Sequence, residues 1–405
     1  MPLRLLSSTT LQLLVAIACG GLLGAFAPHI AVQMKPLSDG FIRVIGWLMP
    51  FMMFLLIASG VAGLPIRQRG LAGKILLYFQ CMAALSLTVG CLIAELTHPG
   101  INALTNTVSL EHAPPAGGGL SWNAMRVVLE RALTQNPILH VMVAGLLTGT
   151  VMARLRGHRH ADTLRAGLEN VVELLFKGLR FVLRFAPFAA FGAIAFTIGK
   201  FGPASALPLL KFVGVMYLAS AAFVVLILVP VAQASGVSLL ALVMRIKDEL
   251  LLVTFTGSSV AALPGLIEKM QTLGCDRQLT RLVLTTGYTF NLSGSNIYLI
   301  TAVLFLAQVS GIELTGSEML TLLLISLVTS LGSTSMAGSA FFTLIATLNL
   351  LHTVPVEGAG LLLGVERLMK CRVLTNVLGN CVACVAISRW QNGRQFFDDS
   401  NFSNA

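Results

Sequence analysis

Long, continuous apolar segments, separated by short polar ones, make up most of the sequence. Their lengths are close to the roughly 20 residues that a helix needs to cross the hydrocarbon core of a bilayer. Their continuity predicts helices rather than the alternating strands of a membrane barrel. Before residue 249 the pattern predicts six spanning helices, at about 11–27, 41–63, 73–96, 137–155, 171–200 and 207–234.

Two later apolar segments have small, hydroxyl-rich centres and differ from ordinary spans. Their sequences are LLLVTFTGSSVAALPGLI at 250–267 and SLVTSLGSTSMAGSAFFTLIATL at 326–348. Such a centre suits the turn of a re-entrant hairpin, because exposed backbone groups are tolerated at membrane depth only where they line a cavity or meet a ligand. A plain serine-rich span is the alternative for each segment.

A seventh span, at 285–308, carries polar residues in its first half. Asn291, Ser293 and Asn296 fall close together there, with two further small residues between them. A span that is broken at this point would offer unwound carbonyl groups to a cation or a substrate. Gln308, at the far end of the segment, is a further candidate oxygen ligand.

The last apolar segment, at 364–390, contains an arginine at a depth where charge is costly. Arg372, Asn376 and Asn380 follow one another at steps of four, so on a helix they form one polar stripe. An arginine inside a membrane faces protein, water or an anion. The stripe therefore predicts a binding site for an anionic substrate.

Composition and charge support an integral membrane protein. Of the 405 residues, 56% are hydrophobic and 11% are charged, whereas a soluble domain carries about 25% charged residues. The net charge of +10 comes from short basic clusters between apolar segments, a pattern that the positive-inside rule explains without any nucleic-acid partner. If the N-terminus is inside and each hairpin returns to its own side, eight spans and two hairpins place all these basic clusters on the cytoplasmic side of the membrane. The sequence thus predicts an all-α polytopic membrane protein with eight transmembrane helices plus two re-entrant hairpins.

The sequence offers little for covalent chemistry. Seven cysteines, an odd number and mostly in apolar segments, predict no disulfide framework. Cys381 and Cys384 form a CxxC pair, but no second pair or nearby histidine completes a metal site. His158 and His160 fit a solvated loop better than a metal site. Since there is neither a nucleophile–base set nor a P-loop, we expect no enzyme and no cofactor, and transport driven by an ion gradient or by exchange.

Several motifs together resemble the dicarboxylate/amino acid:cation symporters, and within them the bacterial C4-dicarboxylate transporters. The resemblance covers nearly the whole chain and implies a homotrimer in the bacterial inner membrane. In each protomer a transport region would move against a scaffold, as in a glutamate-transporter-like elevator fold. The motifs lie at Met34–Pro50, Ala186–Gly202, Asp248–Pro264, Gly287–Leu299, Gly332–Phe341 and Leu374–Asn380.

The resemblance divides the chain into regions and assigns site residues. The expected regions are 1–73 (scaffold helices 1 and 2), 74–135 (helix 3 and an extracytoplasmic loop), 136–248 (helices 4 to 6), 249–390 (the core transport region) and 391–405 (a cytoplasmic tail). The implied substrate-binding residues are Ser258, Ser259, Gly338, Arg372 and Asn376. The implied cation-binding residues are Gly287, Asn291, Ser293 and Asn380.

One departure from the family bears on the substrate. In the amino-acid carriers an aspartate about one turn before the arginine holds the substrate ammonium, and counting back from Arg372 puts Met369 at that position. A dicarboxylate without an amine is therefore expected rather than an α-amino acid. The interval from Gly364 to Arg372 is one residue shorter than in the family, so the register there is open.

Other departures bear on the coupling ion. Ser293 and Asn380 stand where sodium-coupled relatives have aspartates, although the dicarboxylate members also have asparagine at the second position. Met82 and Ala83 replace hydroxyl residues of the third span, and Val260 replaces a glutamate of the first hairpin. Hard cations prefer oxygen ligands, and anionic ones most. We therefore expect coupling to fewer sodium ions, or to protons.

Three carboxyl groups are candidates for carrying a coupled proton: Asp248, Glu249 and Glu366. Each could equally be an interfacial charge paired with a nearby Lys or Arg. The sequence as a whole predicts a cation-coupled symporter for a small dicarboxylate such as succinate, fumarate or malate. A carrier of another small anion or amino acid, and an uncoupled anion pathway or sensor, are the alternatives.

Overall fold

The computed structural model describes residues 9–63, 69–100, 137–155, 159–202, 206–257, 259–333, 339–351, 353–363 and 365–392. Within these ranges the chain is helical and has no β-strand, which confirms the all-α prediction. The predicted extracytoplasmic loop after the third span falls largely on residues 101–136, outside the described residues. The first helices are α1 (Thr9–Phe26), α2 (Pro28–Val32), α3 (Lys35–Gly63), α4 (Arg69–Thr97), α5 (Pro137–Arg154), α6 (Arg159–Leu183) and α7 (Ala186–Phe201).

The second half of the chain contains shorter helices joined by tight turns. A π-helical turn, Val224–Leu228, connects α8 (Ala206–Phe223) to α9 (Val229–Ala234). The later helices are α10 (Leu239–Arg245), α11 (Lys247–Thr256), α12 (Leu263–Thr272), α13 (Arg277–Phe290), α14 (Ser293–Val309), α15 (Gly316–Thr329), α16 (Ser339–Leu351), α17 (Gly360–Leu363) and α18 (Cys371–Asn392). Short 3-10 turns occur at Ser259–Ala262, Ser330–Gly332, Val356–Ala359 and Glu366–Leu368.

Four helical segments of the described chain are long and apolar enough to cross a membrane by themselves. They are Gly73–Thr97, Leu207–Ala234, Leu279–Val309 and Cys371–Gln391. They coincide with the predicted third, sixth, seventh and eighth spans. Shorter apolar helices lie at Val15–Phe26, Val143–Arg154, Ala186–Lys200, Gly316–Thr329 and Ser339–Leu351.

The predicted fifth span, at 171–200, is not one helix. The structure ends α6 at Leu183 and begins α7 at Ala186, with a turn at residues 184 and 185 between them. Pro187 explains the break, because it has no N–H to bond the carbonyl of residue 183, whereas a proline is well tolerated in a first helical turn. The helix α6 carries the exposed ion pair Lys177–Glu173 at 2.9 Å.

Two pairs of short helices fold back on themselves. The helices α11 and α12 have 10 residues each, about 15 Å, which is half the roughly 30 Å hydrocarbon core. Lys269 on α12 contacts Glu249 on α11 at 2.7 Å, so the two helices lie side by side. In the same way the hydroxyls of Thr329 and Thr347 join α15 to α16 at 2.8 Å.

The helix α14 forms the centre of the molecule. Its residues from Ser293 to Ala307 are all buried, as expected for a helix whose second half is apolar on every face. It packs against α4 and α18. Gly90 on α4 permits the first of these contacts, because a Cβ there would lie 2.6 Å from Ile300 Cγ2. The central helix therefore presents its first turn to α18 inside a closely packed protein interior.

Candidate functional site

The seventh span is broken, as the sequence predicted. The helix α13 ends at Phe290 and α14 begins at Ser293, so Asn291 and Leu292 are not helical. Leu292 occupies the N-cap position of α14 and makes no side-chain cap. The first backbone N–H groups of α14 therefore need partners from elsewhere in the structure.

Asn376 on α18 supplies those partners. Its Oδ1 accepts hydrogen bonds from the backbone N–H of Gly294 at 2.8 Å and of Ser295 at 3.3 Å. Its Nδ2 donates to Ser295 Oγ at 3.1 Å. Asn376 thus caps another helix, and one N–H of its amide remains for a ligand. We predicted a substrate-binding residue; the structure adds a capping role that the sequence did not indicate.

The two helices meet at very close range. The backbone carbonyl of Arg372 lies against Gly294, where a Cβ would collide with it. Only glycine fits a backbone approach of this kind. This contact and the Asn376 cap together fix the first turn of α18 against the first turn of α14.

Arg372 lies in this contact region and is almost fully buried, with 5% exposure. Its Nη2 is 3.5 Å from Glu366 Oε1, a long ion pair, and its guanidinium carbon lies 5.8 Å from the centre of the Tyr298 ring. Its Nε has no hydrogen-bond partner among the described residues. A guanidinium has five donors in a planar fork, so most of its capacity is open to an anion.

The four predicted cation-binding residues come together at the break. Asn291 Nδ2 donates to Asn380 Oδ1 at 3.0 Å. Gly287 lies so close to the Asn380 side chain that a Cβ would collide with it. Asn291 Oδ1 and Ser293 Oγ are buried and have no partner in the part of the chain that is described. These two oxygens could face a cation, but all four residues are neutral.

The third span contributes a hydroxyl that we did not predict. Met82 and Ala83 are buried and apolar, but Ser86 follows one turn later. Its Oγ accepts a hydrogen bond from Asn296 Nδ2 at 3.3 Å and donates to the Ala83 carbonyl at 2.8 Å. The pairing joins α4 to α14. Ser86 could have been found from its four-residue spacing from Met82 on the same helix face.

Two of the three candidate proton carriers lie at the open end of the α11–α12 pair. Lys269 Nζ is 2.7 Å from Glu249 Oε2 and 3.1 Å from Asp248 Oδ2. Burial alone lowers the pKa of Lys269, but its hydrogen bonds to these two carboxylates outweigh burial and raise the pKa above its ordinary value. This supports the interfacial interpretation of Asp248 and Glu249. Glu366 alone lies beside Arg372.

The remaining predicted residues are placed as follows. Ser259 is fully buried in the 3-10 turn after α11, and its Oγ has no partner among the described residues. Ser258, Gly338 and the side chain of Val260 lie outside the described part of the structure. Gln308 accepts from the Gly100 N–H at 2.9 Å. It lies 17 residues from Asn291, about 25 Å along α14, so the two do not share a site.

The protein is thus a helical, multi-pass membrane protein with a buried guanidinium beside a broken central helix. A site of this kind is typical of secondary transporters. Residues 9–390 match the sodium:dicarboxylate symporter family. The chain belongs to this family and is a transporter, not an enzyme. The resemblance inferred from the sequence is thereby confirmed.

Individual relatives support the same conclusion. A C4-dicarboxylate transport protein of Rhizobium johnstonii is 40% identical over 394 residues, which cover 94% of this chain and 88% of the relative. The proteins of the same name from Burkholderia cenocepacia and Burkholderia pseudomallei are also 40% identical and cover 94% of this chain and 91% of their own. The similarity extends over the N-terminal helices as well as the site.

Proposed function

We propose that this protein is a symporter that imports a small C4-dicarboxylate, such as succinate, fumarate or malate, with a cation across the bacterial inner membrane. The family and the names of its relatives support the substrate class. The observation that carries the proposal is the state of Arg372. A buried guanidinium is costly when it has one long carboxylate contact and an Nε without a partner in the described part of the chain.

A substrate carboxylate would satisfy that guanidinium. Two parallel N–H···O bonds are the strongest pairing available to it. The centre of the Tyr298 ring lies 5.8 Å from the guanidinium carbon, and Glu366 makes one long contact to Nη2 at 3.5 Å. These contacts leave the other donors of the guanidinium for a substrate carboxylate.

In this proposal the two pairs of short helices act as re-entrant hairpins. The α11–α12 pair packs against α18 and the α15–α16 pair packs against α14. Their inner ends would close over the substrate, and Ser259 and Ser333 at these ends carry buried hydroxyls without a partner among the described residues. Residues 249–390 would move as a transport region against the scaffold, in a homotrimer.

The coupling cation is the least constrained part of the proposal. The oxygens near Asn291 and Ser293 are neutral, which weakens sodium binding relative to a carboxylate site. We therefore propose coupling to protons or to fewer sodium ions than in relatives, with Glu366 as the candidate proton carrier. The same neutrality favours the second candidate function, an uncoupled anion pathway.

Uptake into proteoliposomes tests the proposal. The purified chain is expected to accumulate radiolabelled succinate, fumarate or malate against a concentration gradient when a proton or sodium gradient is imposed. Arg372→Ala should abolish uptake, and Arg372→Lys should retain charge but raise KM, since an ammonium cannot form the bidentate pair. Saturable uptake with no dependence on either gradient would favour the uncoupled pathway. Unchanged dicarboxylate affinity in Arg372→Ala would refute the binding role.

A further inference from the structure

Helix α8 contacts the segment that connects the two charged residues of the site. Glu366 lies in the 3-10 turn Glu366–Leu368, and Arg372 lies in the first turn of α18. The hydroxyl of Tyr217 on α8 donates to the Leu368 carbonyl at 2.9 Å. This hydrogen bond therefore holds the backbone between the carboxylate and the guanidinium.

The same hydroxyl also serves the beginning of α18. The first N–H groups of a helix have no acceptor within the helix. The N–H of Cys371, the first residue of α18, approaches the Tyr217 hydroxyl closely enough to hydrogen-bond. The hydroxyl thus ties the end of the 3-10 turn to the first turn of the helix that carries the arginine.

Two of the backbone hydrogen bonds around the turn are long. The Met369 N–H donates to the Glu366 carbonyl at 3.2 Å, and the Arg372 N–H donates to the Met369 carbonyl at 3.3 Å. The usual length of such bonds is about 2.9–3.0 Å. Long local bonds constrain the turn weakly, so the 2.9 Å bond from Tyr217 contributes to its position.

Helix α8 also contacts the aromatic neighbour of the guanidinium. The rings of Phe212 on α8 and Tyr298 on α14 lie 6.5 Å apart between their centres. One turn later on α8, Met216 Sδ accepts the Thr301 hydroxyl of α14 at 3.0 Å. Both α8 residues are fully buried. Tyr217 is therefore carried by a helix that is packed against the site.

The separation of Glu366 and Arg372 matters because a carboxylate close to the guanidinium competes with a substrate carboxylate. Their contact is 3.5 Å long, whereas charge-assisted N–H···O bonds are usually about 2.7–2.9 Å. The two side chains are buried, with 9% and 7% exposure, so solvent screens their attraction weakly and closer approach is favoured. The turn that carries Glu366 has to be held back for the guanidinium to stay open.

We propose that Tyr217 is a positioning residue, which holds the 3-10 turn so that Glu366 stays at a distance from Arg372. The inference rests on the proposed function and concerns the affinity of the same site. Without the hydroxyl the turn moves toward α18, and Glu366 pairs more closely with the guanidinium. The substrate carboxylate then has to displace a stronger internal partner, and the affinity for the dicarboxylate falls.

The Tyr217→Phe variant tests the hydroxyl, because it keeps the ring. Succinate binding to the purified protein is measured by isothermal titration calorimetry in detergent, and uptake is measured in proteoliposomes. The dissociation constant and KM should each rise about two- to tenfold, the effect of losing one neutral hydrogen bond. The maximal rate should change less than about twofold, because Glu366 competes only while the site is empty of substrate.

A matched control lies six positions earlier on the same helix. Lys211 Nζ donates to the His98 carbonyl at 2.8 Å, so Lys211→Met also removes a hydrogen bond between α8 and a backbone carbonyl. This bond does not involve the turn that carries Glu366. The dissociation constant and KM of Lys211→Met should therefore stay within about twofold of wild type.

A second variant shows whether the hydroxyl acts through Glu366. Glu366→Gln removes the charge of the competitor and should bind succinate at least as tightly as wild type. In this background Tyr217→Phe should change the dissociation constant less than about twofold. An equal loss of affinity in both backgrounds would overturn the positioning role. Failure of Glu366→Gln to bind succinate would also overturn it, because a competitor is not required for binding.

The outcomes separate the two proposals. Wild type that neither binds nor transports a dicarboxylate overturns both. Wild type that transports succinate, and loses this in Arg372→Ala, upholds the proposed function. If Tyr217→Phe then leaves the dissociation constant unchanged, or if Lys211→Met raises it equally, the positioning role alone is overturned.

Discussion

Removal of the Asn376 side chain tests the joint between the two central helices. In Asn376→Ala the N–H groups of Gly294 and Ser295 lose their acceptor, and the Ser295 hydroxyl loses a donor. A buried N–H left without a partner costs about 1–3 kcal/mol. The contact to Gly294 is short, at 2.8 Å, and that to Ser295 is long, at 3.3 Å. The loss of stability should therefore be roughly 2–4 kcal/mol.

A matched control lies one turn further along the same helix. Asn380 has the same residue type and the same 1% exposure as Asn376, but accepts one hydrogen bond, from Asn291 at 3.0 Å. Its own Nδ2 is unpartnered among the described residues, so Asn380→Ala removes an unsatisfied donor as well. We expect it to cost about 1 kcal/mol or less.

Thermal unfolding in detergent, followed by tryptophan fluorescence, measures the difference. Asn376→Ala should unfold several degrees below wild type, and Asn380→Ala close to it. Equal midpoints for the two variants would contradict the capping role. A wild-type midpoint combined with a large rise in KM for Asn376→Ala would show instead that Asn376 acts chiefly as a substrate ligand, as the sequence suggested.

Three further predictions concern other parts of the structure. Gly294→Ala should destabilise the protein by roughly 1–3 kcal/mol because the new Cβ meets a backbone carbonyl of α18. A Cβ at Gly214 meets nothing within 4 Å, so Gly214→Ala should be neutral or slightly stabilising in the same unfolding assay. Lys269→Met should lower stability by roughly 1–3 kcal/mol because the Glu249 carboxylate, with 11% exposure, loses its ammonium partner. Asp248, the other carboxylate partner of Lys269, is 70% exposed, so Asp248→Asn should change stability by less than about 1 kcal/mol. Similar losses in the two variants would refute this prediction. Burial raises the pKa of Cys275 to about 11, so its thiol is protonated at neutral pH. Iodoacetamide should therefore label Cys275 slowly at pH 8 and faster as the pH rises. Rapid labelling at pH 8 in the folded protein would contradict the burial.

Apolar length was enough to predict most of the helices. The third and sixth spans were expected within one residue of their bounds, whereas the seventh begins six residues earlier and the eighth seven residues later than expected. A bilayer leaves a long apolar segment no stable alternative to a helix. The prediction of a single fifth span was wrong for a local reason, since two helices lie there. Its apolar pattern continues through Phe185, and only the proline at 187 marks the division into α6 and α7.

The site was predicted in part. The polar stripe of Arg372, Asn376 and Asn380 was correctly placed on one helix, and the break at Asn291 was expected from its cluster of small polar residues. The partners were not predictable. Asn376 bonds to residues 81 and 82 positions earlier, and the pairing of Asn296 with Ser86 joins residues 210 positions apart.

The sequence by itself determined that the chain is helical, lies in a membrane and carries an arginine that needs an anion, since each follows from local cost: backbone hydrogen bonding, transfer of apolar residues and burial of charge. The tertiary structure decided how those local features are used. It made Asn376 the cap of another helix, gave Asp248 and Glu249 a lysine partner, and paired Asn296 with Ser86 of the third span. The physical reason is that hydrogen bonds and ion pairs act over about 3 Å, so their partners depend on how distant segments pack and not on spacing along the chain.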